Sequence, residues 1–286
     1  MKRVSYRRLF IAASLGFAAP LCITSSVVHA EDFSSGSVAP YWVESTFDSG
    51  GNEGVNAFGA PTVSGGFLIG AIPTDTPTRP SSDGGGQGYE DVEHVATATA
   101  YAGSYYNGSL LGDLTGKTGF TATFSLTNST ITTGAPFIAS EFGGESGANP
   151  GGVRLYIKDS NYVDPDAPEY GISEWWYNPN PALVTSMTNG GETTVTADFT
   201  NLSGWTDIDG VSASAEPAAF ETALGGVTSS GLSLGSGNFF SDGFGFNTGG
   251  TASINVDSIS TTVPEPASLG LISMAGLVLA RRRRRS

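Results

Sequence analysis

Residues 119–127, "GFTATFSLT", decide the fold class. Phe120, Ala122, Phe124 and Leu126 fall on one side; Thr121, Thr123, Ser125 and Thr127 fall on the other. A period of two is that of a strand with one face in a core and the other in water. The pattern recurs along the chain. "VRLYIK" at 153–158 sets Val153, Leu155 and Ile157 against Arg154, Tyr156 and Lys158. "TTVTADFT" at 193–200 sets Val195, Ala197 and Phe199 against threonines and Asp198. "VEHVATATAY" at 92–101 and "ASINVDSIS" at 252–260 are further strands by pattern. "NGG" at 189–191 between two such segments predicts a hairpin. One helix is expected in "EPAAFETALGGV", with Pro217 in the first turn, Phe220, Leu224 and Val227 on one face, and Gly225 and Gly226 ending it. Residues 73–88, rich in Pro, Gly and Ser, read as a long loop. Together these predict an all-β chain: a single antiparallel β-sandwich, jelly-roll-like, with one short helix over its end.

The two ends read differently. Lys2, Arg3, Arg7 and Arg8 precede an apolar run, and Val28 and Ala30 are small residues placed for cleavage between Ala30 and Glu31. Residues 1–30 are therefore expected to be a signal peptide, removed by signal peptidase after the secretion machinery engages it. Cys22 invites a lipoprotein reading, but bulky Leu21 before it argues against lipidation. Residues 267–280, "ASLGLISMAGLVLA", are apolar and would form a helix of about 21 Å against about 30 Å of hydrocarbon. Arg281, Arg282, Arg283, Arg284 and Arg285 follow, and would hold that end in the cytoplasm. The domains are then 1–30, a sandwich over 31–262, and a tail over 263–286.

The sandwich segment carries 26 carboxylates against four cations, Arg79, Lys117, Arg154 and Lys158. A surface so acidic repels nucleic acid and attracts cations, calcium above all. The segment has no cysteine and one histidine, which excludes thiolate nucleophiles, disulfide staples and ordinary His/Cys zinc sites. His94 beside Glu93 and Asp91 has no GxSxG nucleophile elbow elsewhere to serve. The chain is read as non-catalytic. With so many carboxylates some pair always suits a glycosidase, so a secreted polysaccharide hydrolase is the first alternative and a purely structural surface protein the second.

Two clusters are candidate sites. "EWWYNPNP" sets Trp175, Trp176 and Tyr177 side by side, and three adjacent residues of a strand cannot share one face. At least one ring is expected to be exposed, where it would stack on the sugars of an extracellular polysaccharide; the alternative has two rings in the core and one over a loop. "KDSNYVDPDAPEYG" gathers Asp159, Asn161, Asp164, Asp166 and Glu169, oxygen ligands suited to calcium, though their spacing is not that of an EF-hand. The alternative is a solvated acidic loop.

Two resemblances follow. Pro264, Glu265 and Pro266, a short apolar segment and an arginine cluster resemble the PEP-CTERM sorting signal. That resemblance implies an exported protein of the outer surface or extracellular matrix. Its precursor would be held briefly in the inner membrane and cut near the Pro-Glu-Pro by an exosortase, a membrane-embedded protease. "VESTFDSGGNEG", "LLGDLTGKTGFTATFSL" and "SINVDSIS" resemble, in turn, the first strand, a hairpin and the last strand of laminin-type and carbohydrate-binding jelly rolls. In calcium-binding members an acid of the first strand and an aspartate of the last share one ion. Carried over by position, these are Glu44 and Asp257.

Overall fold

The computed structural model describes residues 27–31, 33–34, 36, 42–47, 53–55, 60–72, 91–98, 110–131, 139–140, 152–159, 174–207, 210–235, 245–246 and 250–262, in some strands as backbone alone. The candidate calcium ligands Asn161, Asp164, Asp166 and Glu169, the loop 73–88 and the tail from residue 263 lie outside them.

Two antiparallel sheets form the body. The small sheet is ordered β12 (Thr193–Asp198), β7 (Gly119–Asn128), β16 (Ala252–Thr262), β5 (Phe67–Ile72), β4 (Thr62–Ser64), with β1 (Val27–Glu31) also on β16. The large sheet runs β13 (Trp205–Asp207), β10 (Glu174–Tyr177), β9 (Gly152–Lys158), β14 (Ser229–Gly235), β6 (Asp91–Ala98), β2 (Trp42–Phe47), β3 (Glu53–Val55), and β11 (Ala182–Leu183) joins β9. A minor pair joins β8 (Ala139–Ser140) to β15 (Gly245–Phe246). The alternation in 119–127 is what builds this. Phe120, Ala122, Phe124 and Leu126 are buried, and they share one apolar core with Val153, Leu155 and Ile157 of the facing sheet. The polar face of the small sheet is tied by hydroxyls across strands: Thr123 to Thr194 at 3.0 Å and Thr127 to Ser253 at 2.8 Å.

The helix forms where expected, as α1 (Pro217–Gly225) with proline in its first turn. Phe220, Ala223 and Leu224 are its buried residues. Val227 lies beyond it and instead bridges Gly112. Phe220 fits between Trp175 and Trp205, at ring separations of 5.3 and 5.2 Å, so the helix closes the aromatic end of the core.

Two expected hairpins are corrected. Residues 110–126 hold one strand, β7, and the arm before it is turn. Leu110, Leu111 and Leu114 are buried there as apolar plugs, and the backbone pairs with the exit of α1 through Gly112–Val227 and Leu114–Leu224 bonds. Asp113 accepts from the N–H and hydroxyl of Thr115, which holds its carboxyl below the usual range. The "NGG" at 189–191 does turn the chain: Gly191 N–H donates to Thr188 O, and Gly190 has a φ of +73°. But the strands on either side belong to different sheets, since β11 pairs with β9 and β12 with β7. The turn is a crossing between layers. Asn189 fixes it. Its Oδ1 accepts from Asn128 N–H at 2.8 Å and its Nδ2 donates to Asn128 O at 3.0 Å, so a side-chain amide stands in for a neighbouring strand. Asn189→Ala strips both partners from a strand end and should cost about 1–2 kcal/mol, read as a lower urea midpoint at an unchanged slope.

Candidate functional site

The outer face of the large sheet, turned away from the small one, carries an unusual set of side chains. On β9 the residues pointing outward are Arg154, Tyr156 and Lys158. Register places Glu174 opposite Lys158, and Trp176 opposite Tyr156. On the other flank Ser229, Gly231 and Ser233 face Lys158, Tyr156 and Arg154. The polar atoms are matched in pairs. Lys158 Nζ lies 3.4 Å from Glu174 Oε2, Tyr156 and Ser229 hydroxyls are 2.8 Å apart, and Trp176 Nε1 donates to Ser233 Oγ at 3.0 Å. Arg154 Nη1 reaches Gly235 O at 3.5 Å, and burial pulls its guanidinium down to about 10. Two of the segment's four cations thus stand on one face, two residues either side of a tyrosine.

The exposed ring expected of the "EWWY" stretch is not what the structure has. Trp175 and Trp176 are each 1% exposed. Trp175 points inward onto Phe220, and Trp176 points outward yet is covered. Tyr177 is half-buried, its ring 5.2 Å from that of Trp205 and its hydroxyl accepting from Asn201 Nδ2 at 3.1 Å. The reason is that both faces of this sheet are covered here, so alternation separates two buried sides rather than core from water.

The acidic candidates scatter. Asp159 follows β9 directly and is half-buried. Asp257 lies at an irregularity of β16, between Val256 and Ser258, and is half-buried. Glu44 is fully buried on the inner face of β2, its Oε1 against Gly70 across the sandwich. Desolvation raises its carboxyl to about 8, with an opposing contribution from the Ala71 N–H it accepts. Gly70 pairs with Ile254, three residues or about 10 Å along β16 from Asp257. The structure therefore does not bring Glu44 and Asp257 together. Among the described residues no group of three or more His, Cys, Asp or Glu is placed to hold a metal ion. Sequence reasoning missed the Arg154–Tyr156–Lys158 row and the buried state of Glu44. The first was written in the alternation of "VRLYIK"; the second has no signal, since a lone glutamate in a strand reads as surface.

Two of the expected processing residues sit against the sandwich's last strand, and the others, from Pro264 onward, lie outside the described residues. Ala30 and Glu31 belong to β1 and pair with Ser260 and Ile259 of β16. Among the described residues no helix is long and apolar enough to cross a membrane, and the apolar stretch 267–280 lies outside them.

No curated protein matches the chain. Two solved structures resemble it at 10% identity. One is from work on endo-acting O-glycanases that human gut microbiota express to initiate mucin breakdown, with TM-score 0.34 over 84% of this chain and 100% of that one. The other is the laminarinase catalytic domain of Thermotoga maritima, with TM-score 0.38 over 85% and 99%. No residue is carried over from either. The specific match is at the C-terminus, directly where β16 ends: residues 262–285 are a PEP-CTERM protein-sorting motif, the mark of a protein exported and recognised by exosortase.

Proposed function

We propose that this is a non-catalytic β-sandwich carried to the outer surface or the extracellular matrix, where it binds carbohydrate. The observation that carries the sorting half is continuity. The sorting motif begins at Thr262, the last residue of β16, so in sequence it follows the sandwich's last strand directly. The arginines stop the tail on the cytoplasmic side, and Pro264 and Pro266 are residue types that disfavour helix. In a host with the sorting protease, mass spectrometry of the surface-exposed protein should find a terminus near Pro266. Replacing Pro264, Glu265 and Pro266 by Ala should leave an uncut, membrane-held precursor. Recovery of intact "RRRRRS" on wild-type surface protein would refute the processing.

The carbohydrate half rests on Tyr177, the one ring of the "EWWY" stretch that is only half-buried, beside half-buried Asn178 and exposed Asn180. Four of the described carboxylates serve the fold: Asp113 and Asp198 cap turns, Asp207 accepts from Val211 N–H, and Glu174 pairs with Lys158. Electrophoresis through gels containing acidic and neutral polysaccharides tests this. Retardation that Tyr177→Ala abolishes while the fold is kept supports it; free migration in every gel sinks it, and release of reducing ends would instead favour the hydrolase.

Calcium is the companion proposal, carried by the excess of carboxylates and the stretch 159–169. An ion bound to the native state raises its melting temperature by mass action. Calcium should raise it by several degrees more than magnesium at equal ionic strength. Equal shifts would mean screening alone.

A further inference from the structure

We propose that the edge of β16 over residues 259–262 is a strand-acceptor site. The precursor fills it with its own residues 27–30, and signal-peptide removal opens it to the sorting protease. The inference rests on the export and sorting reading above.

One edge of β16 is fully paired with β7. The other is divided. Residues 252–256 pair with β5, and residues 259–262 pair with β1 through Glu31–Ile259, Ala30–Ser260, His29–Thr261 and Val27–Thr262. Three of those four partners lie before the expected cut between Ala30 and Glu31. A processed chain keeps only Glu31 on this edge. The row of N–H and C=O groups that residues 27–30 had satisfied is then without its strand, beside the end of β5.

What lies next to that edge says what takes it. Thr262 is both the last residue of β16 and the first of the sorting motif, and one residue separates it from Pro264. An enzyme that grips the chain near Pro264–Glu265–Pro266 as an added strand extends its main-chain hydrogen bonds back onto 259–262. While residues 27–30 are in place, that stretch is laddered on both sides and offers no such grip. The pairing is also antiparallel. The chain entering at Val27 and the chain leaving at Thr262 therefore pass through the same end of the sheet. The Ala30–Glu31 bond lies inside the same ladder. A precursor that folds before its N-terminal cut is protected at both positions, and an uncut chain is withheld from sorting.

The test uses the full chain in a host that has both proteases, following each terminus by intact mass. Ala30→Arg blocks the N-terminal cut by placing a large cation where a small residue is needed. The tail should then stay on, with C-terminal processing reduced at least tenfold. Adding Val27→Pro and His29→Pro to Ala30→Arg removes N–H groups from β1 and breaks its ladder; C-terminal processing should return although the signal peptide remains. If Ala30→Arg loses its tail as fast as wild type, or the two prolines fail to restore the cut, the acceptor edge is overturned. If the wild-type chain is itself uncut near Pro266, the sorting reading falls and this inference with it.

Discussion

Replacing Glu44 by Gln should remove most of the pH dependence of stability between about pH 4.5 and 8. The native carboxyl is raised from 4.5 to about 8 by burial. Between those values the folded chain keeps a proton that the unfolded chain has released, so stability falls as pH rises, by about 1.4 kcal/mol per unit. Below about pH 4.5 both states are protonated and the residue costs little; above about 8 the loss is complete and constant. Glutamine has the shape of the protonated acid and does not titrate. Unfolding free energies of the two proteins from urea melts should therefore lie close together at pH 4.5 and diverge by several kcal/mol at pH 8, with the variant the more stable. Taking the difference between the proteins cancels the self-repulsion of the other carboxylates. Parallel profiles would show that Glu44 is charged in the native state. Gly70 gives a second check, because a Cβ there would overlap Glu44 Oε1. Gly70→Ala should be strongly destabilising alone and much less so beside Glu44→Ala.

Trp205→Ala should cost about 3–5 kcal/mol, the range for emptying a buried aromatic site, which is a large part of the stability of an ordinary domain. Trp205 is fully buried and central. Phe199 stacks on it at 5.6 Å, Tyr177 and Phe220 lean against it at 5.2 Å, and its Nε1 donates to Asp198 O at 2.9 Å. It thereby ties β13 of the large sheet to the end of β12 in the small one. Trp205→Phe keeps a ring and loses the hydrogen bond, and should cost nearer 1–3 kcal/mol, much of it from leaving the carbonyl unpaired. Thermal melts followed by tryptophan fluorescence and far-UV circular dichroism would separate the two. An Ala variant as stable as wild type would mean that the aromatic end of the core is not closed as described.

Strands with one wet face were legible in the sequence, and strands with two covered faces were not. β7 and β12 alternate as "GFTATFSLT" and "TTVTADF" promise, because threonines on their outer sides reach water, Ser125 alone of the outer hydroxyl-bearing residues in "GFTATFSLT" being buried. In β9 and β10 the outward residues Tyr156 and Trp176 are as buried as the inward Ile157 and Trp175, so polarity no longer separates the sides. The helix was legible because its proline, apolar spacing and glycine pair are local. The turn at 189–191 was legible as a turn, but which sheet receives the chain afterwards depends on partners sixty residues away, such as Asn128. Burial of Glu44 depends on Gly70 across the sandwich and has no local mark.

The placing of β16 bears on how the chain becomes a protein at all. The strand joins β7, β5 and β1, and it is the final strand in the sequence; its bonds to β7 close loops of well over a hundred residues. Contacts so distant along a chain are slow to form. They also cannot form in order of synthesis, for the small sheet has no centre until the last residues arrive. A chain threading through a membrane needs to stay loose while it passes. Here looseness is built into the topology: the body stays incomplete, with β7 and β5 lacking the strand between them, until its C-terminal segment has followed it across.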